Sequence, residues 1–203
     1  MIRLSYAHYF IYLFNKFSNM QSTIIALVAF GMLLTFVQCT DKKMVSEYQI
    51  KQSFISVGRT YDVESKTNAP TKFSVRNELF SVGKKLYLLE DGKERYSVLH
   101  KLTNIMSTWE ITDLHNNKEV GMIENKLKFV GSMMQATGSF GTYKIEGDFG
   151  SFTYTIMKDG EKVASIDKKV LSLHHTYDLT VYGESDRALM VLFSIIVNEI
   201  REH

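Results

Sequence analysis

The sequence predicts a mainly β protein: an antiparallel closed barrel of about twelve strands, assembled from hairpin repeats and holding a buried helix at its C-terminal end. Three observations predict it. A ten-residue phrase is written three times, as "FISVGRTYDV" from Phe54 to Val63, "LFSVGKKLYL" from Leu79 to Leu88 and "VLSLHHTYDL" from Val170 to Leu179. Asp91-Gly92, Asn116-Asn117 and Asp159-Gly160 fall between segments of alternating polarity, and these residues tolerate the positive backbone angles of tight hairpins. The chain then closes with an apolar run from Ala188 to Val197 that is too short to span a bilayer.

Composition agrees with a folded β chain. The 203 residues include 13 Phe and 11 Tyr but a single Pro, a balance that favours extended structure over loops. Four of the 24 basic residues and one of the 22 acidic ones precede Met44, which leaves 20 and 21 in residues 44–203 and a net charge of −1. A nearly neutral domain lacks the broad positive field that nucleic-acid binding requires, so nucleic acid is excluded as a partner. Cys39 is the single cysteine, which rules out a disulfide framework.

The first element, residues 1–43, is an N-terminal apolar helix acting as a membrane anchor or signal-like segment. Phe17 to Thr40 carries no charge, and its apolar heart is "IIALVAFGMLLTFV" from Ile24 to Val37. That length lies between a signal core and a full span. A single N-terminal span gives membrane association, cleavage near Cys39 gives export, and a true start at Met44 gives a cytoplasmic protein. Gln38 before Cys39 is not the small residue that bacterial lipidation favours.

Residues 44–203 form the barrel domain. Ile50, Val75, Val98, Ile123 and Ile166 each stand four residues before another apolar position, at successive spacings of 25, 23, 25 and 43. Alternation as in Tyr61-Asp62-Val63 and Tyr154-Thr155-Ile156 is the period of a strand with one buried face, and places Tyr61 and Tyr177 inward as matching repeat positions. "GTYKIEGDFGSFTYTIMKDG" supplies a further pair of strands in the long final spacing, its glycines relieving bends or bulges. So many strands in one antiparallel series close on themselves, because closure removes unpaired edges. The final run, with Ser185 and Asp186 as capping candidates, is apolar on every side except Ser194 and therefore predicts a helix buried in the lumen.

The phrases "KLYLLEDGKERYSV", "YTIMKDGEKVASIDKKVLSLHHTYDL" and "ALMVLFSIIVNEI", in that order, resemble the LURP-one-related family of the tubby C-terminal-like group, across Tyr48 to Ile200. The resemblance implies a twelve-stranded barrel threaded by a central C-terminal helix. Relatives in the wider group include phosphoinositide-binding domains and phospholipid scramblases, and the resemblance carries over no catalytic residue.

Chemistry-bearing motifs are sparse. Gly-x-Ser-x-Gly, a P-loop and a dinucleotide fingerprint are absent, so catalytic residues are expected to be none and the protein no enzyme. His174 and His175 are strand neighbours that point to opposite faces, and His100 and His115 are isolated, so neither a metal nor another cofactor is expected. Trp109 and Met133-Met134 read as packing. Lys84, Lys85, Lys168 and Lys169 occupy repeat-related neighbourhoods and are the candidates for an anionic lipid headgroup, against the alternative of solvated strand-end charges. The expected function is a non-enzymatic, membrane-tethered binding or scaffold domain recognising anionic lipid. The alternative is a scramblase-like lipid transporter.

Overall fold

The chain divides into two units, residues 1–43 and Met44–His203. The computed structural model describes residues 44–55, 58–67, 71–78, 83–102, 107–126, 132–148, 150, 152–168 and 176–201, all in the second unit. The expected N-terminal apolar helix lies outside the described residues.

Twelve strands follow one another: β1 (Val45–Ile55), β2 (Gly58–Ser65), β3 (Phe73–Asn77), β4 (Lys85–Glu90), β5 (Lys93–Leu102), β6 (Ser107–Asp113), β7 (Lys118–Lys126), β8 (Ser132–Gly138), β9 (Gly141–Asp148), β10 (Thr153–Lys158), β11 (Glu161–Lys168) and β12 (Thr176–Tyr182), with the helix α1 (Arg187–Arg201) last. Each strand pairs with its predecessor, and β1 pairs with β12 from Val45↔Tyr182 to Lys51↔Thr176, closing an antiparallel barrel. The turn residues act as the sequence requires: Asp91 and Gly92 have φ of 49° and 77°, and Asp159 and Gly160 have 50° and 84°. In β4, β6 and β10 the register shifts shortly before the turn, at Leu88/Leu89, Ile111/Thr112 and Ile156/Met157. These irregularities, repeated at one height, bend the wall into a closed curve.

The repeat frame is the inner face of this wall. Ile50, Val75, Val98, Ile123 and Ile166 are all buried, as are Tyr61, Trp109 and Tyr177 in the strands that follow them. The spacing of 43 residues conceals one more unit, whose inward anchor is Ile145 of β9. Gly147 faces Tyr154 across β9 and β10, and a Cβ there would lie 2.4 Å from the Tyr154 ring. Glycine at this point makes room for an aromatic ring rather than relieving a bend.

Inside sits α1. Asp186 caps it, its Oδ1 accepting from the Leu189 amide at 3.1 Å, and Ala188 through Glu199 are buried without interruption. Side chains of several strands contact it. Arg187 donates to Ser46 of β1, Phe193 packs edge-on against Tyr143 of β9 at 5.4 Å, and Arg201 donates to Tyr177 of β12. A helix apolar on every side finds its only dry surroundings in that lumen. Its length is about 22 Å, and among the described residues no helix is long and apolar enough to cross a membrane.

Candidate functional site

Odd-numbered strands run toward one end of the barrel and even-numbered strands away from it, so β4 begins and β11 finishes at the end to which the C-terminus of α1 points. There the apolar helix turns polar, at Asn198 and Glu199. A carboxylate near a helix C-terminus opposes the helix dipole, and burial strips it of water. Glu199, 0 % exposed, is nevertheless stable because donors surround it: Tyr61 Oη at 2.6 Å, Arg59 Nη1 at 3.3 Å and the Lys84 ammonium in direct contact. Asn198 Nδ2 donates to the Tyr61 hydroxyl at 3.2 Å and to Gln52 Oε1 at 3.3 Å. The result is a compact polar cluster at the mouth of an otherwise apolar lumen.

The repeat explains the two cations. Arg59 and Lys84 occupy the same position of the ten-residue phrase, one residue after its glycine, and thus enter strands two places apart in the ring at matching points. Sequence reading singled out Lys84 for a ligand and passed over Arg59 and Glu199. The shared phrase position was the available signal for Arg59, whereas Glu199 lacked any signal beyond being an acid at the end of a buried helix.

The four lysines proposed for a headgroup have different fates. Lys84 is 18 % exposed and committed to Glu199, which corrects the picture of a solvated strand-end charge. Lys85 lies over the Tyr87 ring at 5.1 Å and 3.4 Å from Glu78, and hydrogen bonding to Tyr87 first, then Glu78, holds its pKa above the ordinary lysine value. Lys168 ends β11 opposite Tyr177, while Lys169 lies outside the described residues. Lys84, Lys85 and Lys168 thus share one end, yet β3, β2, β1 and β12 separate β4 from β11, roughly 24 Å along the wall.

The histidines do not assemble. His100 stacks on Trp109 with centroids 4.4 Å apart and places Nε2 2.7 Å from Ser107 Oγ, whereas His115 meets Arg95 in the β6–β7 turn at the opposite end. His174 and His175 lie outside the described residues. Among the described residues no three His, Cys, Asp or Glu side chains are grouped to hold a metal. The outer wall carries a groove of about 890 Å³ over β1, β2 and β3, lined by Lys51, Asp62, Glu64, Thr67, Lys72 and Ser74 among others. Its rim charges neutralise one another, Lys51 pairing with Glu64 at 2.7 Å.

Comparison with known proteins supports what the fold suggests. A family model described as LURP-one-related matches residues 46–198, from the second residue of β1 to the polar end of α1. The chain is also similar to the uncharacterized protein YxjI of Bacillus subtilis (strain 168), with 26% identity over 156 residues, 76% of this chain and 93% of that protein.

Proposed function

The chain belongs to the LURP-one-related family, and from that premise we propose that it is a non-enzymatic binding or scaffold barrel, tethered by residues 1–43 and recognising anionic lipid headgroups at the end where β4 begins and β11 finishes. The observation that carries the reading is the filled lumen. With α1 buried along Ala188 to Glu199, a ligand is left the outer wall and the mouth, the end at which Lys84 and Lys85 open β4 and Lys168 ends β11, roughly 24 Å apart along the wall. Lys85, Lys168 and Lys169 carry the recognition, because Lys84 is engaged by Glu199.

Vesicle flotation tests both halves of the proposal. The full chain floats with neutral vesicles through its N-terminal segment, and residues 44–203 float only with anionic ones. Each lysine near an acidic surface contributes about 1 kcal/mol, so Lys85→Gln, Lys168→Gln and Lys169→Gln together weaken anionic-vesicle binding about a hundredfold. Unchanged affinity of the triple variant would remove the headgroup reading, and a full chain that leaves neutral vesicles would remove the tether.

A further inference from the structure

The point where the chain enters the barrel and the end where the lysines stand are opposite ends of the wall. Met44, just before β1, is already fixed in place, its carbonyl accepting from the Gly183 amide at 2.7 Å. Arg187, the first residue of α1, donates to Ser46 two residues further on, so the chain enters beside the N-terminus of the helix. Lys84 touches Glu199 near the other end of the same helix. Twelve residues of α1 separate these two contacts, a rise of about 18 Å.

That distance decides which surface the lysines meet. The uncharged run ends at Thr40, and from there to Met44 the chain reaches about 14 Å at full stretch. A membrane that holds the run is therefore out of reach of the mouth, because a barrel with its mouth on that surface would carry Met44 at least about 18 Å above it. A barrel lying on its side engages one lysine and not the other. Lys85 opens β4 and Lys168 ends β11, five of the ring's twelve joints apart and thus nearly opposite each other across the mouth. A flat surface that meets both faces the mouth end-on.

We propose that the protein bridges two membranes: held in one by residues 1–43, it sets its mouth end-on against the anionic surface of another. The proposal rests on the tether and headgroup readings given above, and it adds which membrane is recognised and in what orientation. Lys85 and Lys168 then act on the same surface from two sides of the mouth, while Lys93, exposed at the start of β5, stands at the Met44 end and faces away from it.

Vesicle clustering tests the bridge. Full-length protein is placed in phosphatidylcholine vesicles and mixed with vesicles that contain phosphatidylserine and carry a second dye. The two populations are expected to form mixed clusters, seen as turbidity and as both dyes in one pellet. Lys85→Gln and Lys168→Gln each weaken capture of the anionic vesicles about fivefold, and Lys93→Gln leaves it unchanged. Residues 44–203, which hold the whole barrel and its helix, bind anionic vesicles without clustering them. Binding by residues 44–203 with no clustering by the full chain would overturn the bridge and leave the headgroup reading standing. No binding by residues 44–203, or a full chain that leaves the phosphatidylcholine vesicles, would overturn the bridge together with the reading beneath it. Clustering that depends on one of the two lysines alone would overturn the end-on orientation and with it the second membrane.

Discussion

Leu192 and Ile196 stand one turn apart in α1, and neither has any surface open to solvent. Their side chains meet the inner faces of the wall on a helix that has no exposed side to rotate toward, so a truncated residue leaves a cavity that the closed barrel cannot collapse to fill. Changing either to alanine is expected to cost about 2–5 kcal/mol, measured by denaturant unfolding. Leu192→Asp places a charge in the same apolar surroundings without a partner and is expected to prevent folding of the barrel altogether. Glu199, seven residues further along the same helix, shows the condition under which a charge is tolerated there: three donors within reach and none of them apolar. The identities of Leu192 and Ile196 as lumen residues were legible from the all-round apolarity of the run. The partners of Glu199 were not, because they arrive from positions 138 and 140 residues away, and from Lys84 at 115.

At the level of elements, the hairpin is the unit the sequence writes and the barrel uses. Odd strands bring an aliphatic anchor inward, and a leucine or a larger ring stands opposite it in pairs such as Val75 with Leu88 and Ile123 with Trp109. Where a strand supplies a large ring, its neighbour has to give way. Gly147 is that concession to Tyr154, and Gly147→Ala would drive a Cβ to 2.4 Å from both the ring and the Thr153 carbonyl. Overpacking of this kind is expected to cost about 1–3 kcal/mol and to spread to β9 and β10 before the remainder of the wall, which thermal denaturation with strand-resolved exchange will register. The spacing of 43 residues hid the β9 unit because its anchor, Ile145, is flanked by glycines instead of the phrase that marks the other copies. Pattern matching sees repeated words, whereas the sheet needs repeated positions.

For the whole molecule, a wall of aromatic side chains packed inward ties stability to alkaline pH. Burial pushes the Tyr48 phenol above its ordinary value, and burial together with the Asp186 carboxylate does the same to Tyr96. The unfolded chain ionises such phenols near pH 10 while the folded barrel keeps them neutral to higher pH. The stability they lend is complete below about pH 10 and is lost as pH rises through the folded values. The melting temperature is therefore expected to hold level up to about pH 10 and fall above it, with a shallower fall in Tyr48→Phe and Tyr96→Phe. A fall that begins below pH 9, or that both variants leave unaltered, would assign the loss to other groups. By itself the sequence determined the strands, their hairpin order, the closed barrel and the helix within it, because each follows from local periodicity, turn chemistry and the need to bury apolar surface. The tertiary structure alone decided that Lys84 serves the helix and that Lys85 and Lys168 stand five joints apart in the ring. Both depend on which distant side chains and edges closure brings together, and a period of two residues along a strand carries no information about that.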